Sequence, residues 1–309
     1  MKQPKHICCY DLILYTEYAK FNRKCILNME KCNRIEKDRF LTNTSGLTQI
    51  LIEGTMVTLL GESGGCHVGK GCQPNPSYVT KENSLSQLDY VYQGMHSEGT
   101  IIFLEIPDPA PNGTIPSHNL HMFASTAGIG TLFVDKRPAV LNIPGKNFYI
   151  DIVHKEIAHL KLHEWDNVYR QVIEFYKFVS SHSQNSHLLQ YIEQYKQKLD
   201  TLRSNIKYAL VGTDELTPHP WNSKWPCYHF HKHYFNALLE IQGSIFDIFV
   251  LYQITGNLQF KKNVVVVVGD QHRINIKKYF EVNYPGAVIF NKSGDDNTTN
   301  INGSCVPVK

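Results

Sequence analysis

Glu62, Ser63, Cys66, His67 and Lys70 crowd one glycine-rich turn, GESGGCHVGKG (residues 61–71), directly after the apolar run Met56-Val57-Thr58-Leu59-Leu60. A strand that empties reactive side chains onto such a turn is how α/β folds build sites at the carboxyl edge of a sheet. Three chemistries compete for these residues. A phosphate loop needs Gly-x-x-x-x-Gly-Lys and then Ser or Thr, so that backbone amides cradle phosphates and a hydroxyl holds Mg²⁺. Gly64, Gly69 and Lys70 meet the first part, but Gly71 stands at the hydroxyl position. Pro74 and Pro76 then block the helix whose N-terminus would support the phosphates.

A nucleophile elbow needs Gly-x-Ser-x-Gly, and Gly61, Ser63 and Gly65 supply the letters. Only about fifty residues precede it, whereas that fold lays down several strands first. Its triad also needs a histidine beyond the acid in chain order. Asp270 is the natural acid, yet the last histidine, His272, sits two residues away on the same turn. Both readings are weak.

The third reading takes Glu62 as an acid/base group whose partners arrive from later strands. Glu105 ends IIFLEIP, Asp135 and Arg137 end TLFVDKRP, and Asp270, His272 and Arg273 end VVVVVGDQHR. Two carboxylates and an imidazole form a kit for activating water, with arginine stabilising a developing oxyanion. With a divalent metal ion as cofactor, His67, His272 and Glu62 become candidate ligands instead. His229 and His233 in CYHFHKH share a helix face at i, i+4, a metal-ligand spacing, but the accompanying protease glutamate is missing. They are read as bordering the mouth of the site, with Asp270 and Arg273 as substrate-binding residues. Cys66 beside His67 is a candidate thiolate ranked below water. Each residue also has a structural reading: Glu62 satisfying turn amides, Glu105 at the sheet edge, Asp135 paired with Arg137, and His272 capping the next helix.

The order LLGE, FLEIP, FVDKRP, a helical stretch and then VVVVVGDQHRINIKKYF resembles the erythromycin-esterase-like and TraB/Tiki-like superfamily over roughly residues 55–291. Proteins of that group place a Gly-Glu or Gly-x-x-His motif after the first core strand and a Gly-x-x-His motif after a late one. The resemblance implies an α/β fold and an active-site set of Glu62, Glu105 and His272, with Arg137 as an anion partner. It fixes no substrate, since the group includes esterases, metal-dependent proteases, haem-binding lipoproteins and a toxin deamidase domain. Esterase-like members carry a histidine two or three residues beyond the first glutamate, where this chain has Gly64 and Gly65. His67, in its own Gly-x-x-His, is the substitute.

The elements that must position these groups recur along the chain. Strands are expected at Val57–Leu60, Ile101–Ile106, Leu132–Val134, Val264–Val268 and Ala287–Phe290. Five consecutive valines predict a central strand covered on both faces, hence a mainly parallel sheet flanked by helices. Helical spacing over about 155–208, exemplified by Val168, Val172, Phe175, Tyr176 and Val179, and again from His229 to Thr255, predicts a helical insertion between the third and fourth core strands. The expected organisation is an N-terminal helical segment (1–54), an α/β core (55–292) with the insertion at about 151–255, and a flexible tail (293–309).

The chain has 309 residues, 42% hydrophobic and 19% charged, enough for a substantial core. A formal charge of +3 over that length argues against nucleic acid or an anionic membrane as partner. Eight scattered cysteines without a signal-peptide h-region favour reduced thiols and a cytoplasmic location, with Cys8, Cys9 and Cys72 idle. No run approaches the ~20 uninterrupted apolar residues of a membrane span, and Glu240, Gln242, Asp247 and Gln253 interrupt the most apolar helix. The reading is a hydrolase acting on a small-molecule or peptide substrate. The competitors are a non-catalytic binding or host-interaction protein and, third, a nucleotide binder.

Overall fold

The computed structural model describes residues 39–42, 44–62, 84–85, 91, 99–107, 129–143, 146–147, 162–209, 227–257, 263–293 and 305–308. Its strands are β1 (Arg39–Thr42), β2 (Gly46–Ile52), β3 (Thr55–Glu62), β4 (Ser84–Leu85), β5 (Thr100–Pro107), β6 (Gly130–Asp135), β7 (Asn142–Ile143), β8 (Lys146–Asn147), β9 (Asn263–Gly269), β10 (Val288–Ser293) and β11 (Cys305–Val308). Its helices are α1 (Arg137–Val140), α2 (Leu162–His182), α3 (Ser186–Ala209), α4 (Cys227–Asn257) and α5 (Asp270–Asn283). The chain divides into two units. One comprises Met1–Glu105, Ser117–Leu132 and Phe260–Lys309, the other Ile106–Pro116 and Phe133–Gln259.

The protein is α/β, built on a six-stranded sheet of order β10-β2-β3-β9-β5-β6. The valine run is its centre: β9 lies parallel to β3 on one side and to β5 on the other. Val264, Val265, Val266 and Val268 are fully buried and Val267 nearly so. β-branched side chains suit a strand packed on both faces. Removing each such side chain from water stabilises the fold by ~1.5–3 kcal/mol. The sheet is mixed, however: its parallel strands are flanked by antiparallel pairings on one side. β2 runs antiparallel to β3 through a two-residue hairpin, and β10 returns antiparallel to β2. Glu53 and Gly54 at the hairpin both have positive φ, 48° and 81°, the pattern of a type I′ turn whose twist matches that of the strands.

Two expectations are corrected. The region up to residue 52, read as helical, contains β1 and β2. The segment Gly-Leu-Thr-Gln-Ile-Leu-Ile alternates, with Leu51 exposed between buried Ile50 and Ile52, and strand pairing with β3 overrides a weak local preference. The polar tail ends in β11, which pairs antiparallel with β1. β11 is the edge of a three-stranded sheet ordered β11-β1-β4, where Pro307, lacking an N–H, is tolerated.

The second unit holds α2, α3 and α4. On α2 the expected stripe of Val168, Val172, Phe175, Tyr176 and Val179 is buried. Asn185 accepts the amide of Leu188 at 3.0 Å and so caps α3. On α4, Asn236–Gly256 is long and apolar enough to cross a membrane by length and composition, with mean hydropathy 1.4. Ile241, Ile245, Phe246, Ile248, Val250, Leu251 and Ile254 along it are buried.

Candidate functional site

Alternation along the paired strands decides which strand-end residues share a face. In the first unit Gly61 stands beside Val268 and Glu62 beside Gly269 on β9, while on the other side Leu104 stands beside Val267. Continuing that register by one residue sets Glu105 level with Val268. Side chains level with one another lie on one face and successive ones alternate. Glu105 therefore belongs to the face of Val268 and Gly61, whereas Glu62 belongs to the opposite one.

The face of Glu105 is the one on which α5 packs. Gly269 is the N-cap of α5 and carries no capping side chain. Its amide donates instead to Glu105 Oε2 at 2.6 Å, a bond spanning 164 residues of sequence. An amide at a helix N-terminus and a carboxylate attract one another through the helix dipole as well as the hydrogen bond. The second carboxylate oxygen, Oε1, lies 3.8 Å from Nε2 of His272 on the first turn of α5. Both side chains keep some solvent access, 22% for Glu105 and 12% for His272. That separation exceeds a direct hydrogen bond but suits an ion pair or two groups that share a proton through a water.

The next residue turns the other way. Arg273 is fully buried. Its Nε donates to Asp270 Oδ1 at 2.6 Å, and its Nη1 to Thr48 Oγ1 at 2.8 Å and Asn291 Oδ1 at 3.0 Å. Thr48 in turn donates to Asn291 at 2.8 Å. The room for this network comes from a cross-strand pair of glycines, Gly46 opposite Gly61. A Cβ at Gly46 would lie 2.3 Å from Arg273 Nε, and one at Gly61 would lie 2.2 Å from Asp270 Oδ1. The Gly61 carbonyl is fixed from the other side by Ser45, whose amide and hydroxyl both donate to it, at 2.7 and 3.0 Å.

The predicted residues thus separate into groups. Glu105 and His272 meet; Asp270 and Arg273 meet beside them, inside the fold. Glu62 is 8% exposed at the end of β3, on the other face by alternation. In the second unit, Arg137 forms a two-pronged pair with Asp135, Nε to Oδ1 at 2.8 Å and Nη2 to Oδ2 at 2.9 Å, and lies 4.9 Å above the Phe246 ring. That arrangement corresponds to the structural reading of the pair. His67, Cys66, Ser63 and the rest of the glycine-rich turn lie outside the described residues, so neither the phosphate-loop nor the elbow geometry is described. His229 and His233 fall in the first turns of α4, where only the backbone is described. Among the described residues no three His, Cys, Asp or Glu side chains stand close enough to hold a metal ion. Of the metal set His67, His272 and Glu62, His67 lies outside the described residues.

Sequence reasoning missed Gly46, Thr48, Asn291 and the Gly269 amide, and took Gly61 only as a glycine of the elbow motif. Gly61 carried a signal, since a glycine closing a buried strand marks close approach by another group. No known family, characterised protein or solved structure matches the chain.

Proposed function

We propose that the first unit is a hydrolase that activates water with Glu105 and His272. The observation that supports this most is the meeting of a strand-end carboxylate and a helix-borne imidazole, far apart in sequence and both partly open to solvent. In this reading the Gly269 amide fixes Oε2 of Glu105, so that Oε1 and His272 Nε2 address one water from two sides. One group removes the water's proton as its oxygen attacks an ester or amide carbonyl. The imidazolium then returns a proton to the leaving oxygen or nitrogen, so the products are a carboxylic acid and an alcohol or amine. The reading agrees with the resemblance to the erythromycin-esterase-like and TraB/Tiki-like group and narrows its residue set to Glu105 and His272. Glu62 stands at the end of β3, and a role in metal binding would need His67.

The test is turnover of a panel of ester and amide probes by the full chain and by His272→Asn. A positioned acid or base contributes ~10²–10⁴-fold, so the variant is expected to lose at least ~100-fold. Equal turnover by both proteins removes the proposal. The non-catalytic binding reading is favoured by one observation: the carboxylate expected at the same site, Glu62, is assigned to the other face. A wild-type chain inert on every probe would turn the account toward it. Nucleotide binding remains the third reading, and ATP or GTP that fails to raise the melting temperature counts against it.

A further inference from the structure

The strand pair Gly46–Gly61 and the residues above it form a seat for one guanidinium, one residue along from His272. We infer that Arg273 is a positioning residue: seated over this glycine pair and tied to Asp270, Thr48 and Asn291, it sets the first turn of α5 and thereby holds His272 and the Gly269 amide against Glu105. The inference rests on the Glu105–His272 pair of the proposed site but not on hydrolysis.

The geometry carries it as follows. Successive residues on one helical turn share a rigid backbone, so fixing Arg273 and Asp270 fixes Gly269 and His272. α5 has no side-chain cap of its own. Its start is therefore set by tertiary bonds: Gly269 to Glu105 on one side and Arg273 to β2 and β10 on the other. The guanidinium reaches three separate acceptors in directions that a lysine cannot copy, because a planar fork presents its donors at fixed angles. Both glycines are required, since either Cβ would overlap this ion pair. Among the described residues Arg273 Nη2 is buried without a hydrogen-bond partner.

The experiment uses the full chain labelled with ¹⁵N-glycine and ¹³C-histidine. Gly269→Ala and His272→Gln identify the two signals, and Glu105→Ala marks the Gly269 amide position without its acceptor. Arg273→Lys keeps the charge and removes the fork. Its Gly269 amide is expected to move most of the way toward the Glu105→Ala position, and its His272 ring signals to shift, with an unchanged far-UV spectrum. A folded Arg273→Lys with both signals at their wild-type positions overturns the inference. Neither loss of stability nor the local effect of the new side chain would carry the Gly269 amide toward its Glu105→Ala position, so a merely structural role leaves that amide short of it. Should Arg273→Lys fail to fold, Thr48→Val and Asn291→Ala each remove one contact of Arg273 together with the Thr48–Asn291 bond. Smaller shifts of both signals then support the inference and unmoved signals overturn it. Shifted signals in a chain that cleaves no probe would leave this inference standing and remove the hydrolytic one.

Discussion

Gly46→Ala isolates the seat beneath Arg273. The new methyl would lie 2.3 Å from Nε and 2.4 Å from Cζ of a side chain that is 0% exposed. Neither atom is the free end of a flexible chain, so the guanidinium must leave its partners or β2 must move. In a strand, Gly to Ala by itself favours folding by about 0.5–1 kcal/mol. Overpacking opposes that by ~1–3 kcal/mol, and breaking a buried ion pair by ~3–5 kcal/mol. A displaced arginine retains some contacts, which leaves a net loss of about 3 kcal/mol. The assay is native-state hydrogen exchange of β9 and α5 amides in the full chain, which reports opening of this unit itself. Gly256→Ala is the control. It is an exposed position near the end of α4, in the other unit, with nothing within 4 Å, and should leave the exchange of these amides unchanged. A Gly46→Ala loss below ~0.5 kcal/mol would refute the reasoning, because it would lie within the range of an ordinary surface change.

Three other outcomes follow from particular contacts. Ser244 donates its only proton to the Ile241 carbonyl at 2.6 Å, so Tyr176 must donate to Ser244 across their 2.7 Å contact. Ser244→Ala then strands a buried hydroxyl and should cost ~1–3 kcal/mol, while Tyr176→Phe should cost ~1 kcal/mol or less; chemical denaturation that gives the reverse order contradicts the assignment. Glu53→Asn supplies the residue that a turn with positive φ prefers and should raise stability by ~0.5–1 kcal/mol; a thermal melt showing a loss would count against the type I′ turn. Burial pushes the phenols of Tyr176, Tyr191 and Tyr279 above their ordinary range. The folded chain therefore keeps protons that the unfolded one releases above about pH 10. This contribution to stability is complete below that pH and is lost as the pH climbs toward the folded values. Phenolate absorbance from these residues should appear only as the near-ultraviolet circular dichroism collapses, and its appearance beforehand would contradict their burial.

Much of the architecture was legible because the valine run and the helix periodicities are strong local signals. Val264–Val268, Ile101–Ile106 and Val57–Leu60 lie in β9, β5 and β3, and the α2 stripe is buried. Ala287–Phe290 and Leu132–Val134 likewise overlap the outer strands β10 and β6, whereas β1, β2 and β11 were not legible. β2 alternates over only seven residues, and its pairing with β3 and β10 depends on neighbours distant in sequence. β11 is four residues long and pairs with β1 across most of the chain. At the site, the sequence pointed to Glu105 and His272 as strand-end groups. It could not separate Glu62 from them, because one residue of register decides the face and register is fixed by pairing. Arg273 was read as substrate-binding from its place beside His272. A helix turns by about 100° per residue, and that rotation sends it inward.

The central claim is that Glu105 and His272 act as one device. It is tested most directly by the turnover of a cleaved probe in Glu105→Gln, His272→Asn and the double variant of the full chain. Residues that work as a unit are far from additive, so each single variant is expected to lose nearly as much as the double, at least ~100-fold. Losses that multiply, or a single variant that keeps wild-type turnover, would contradict the account.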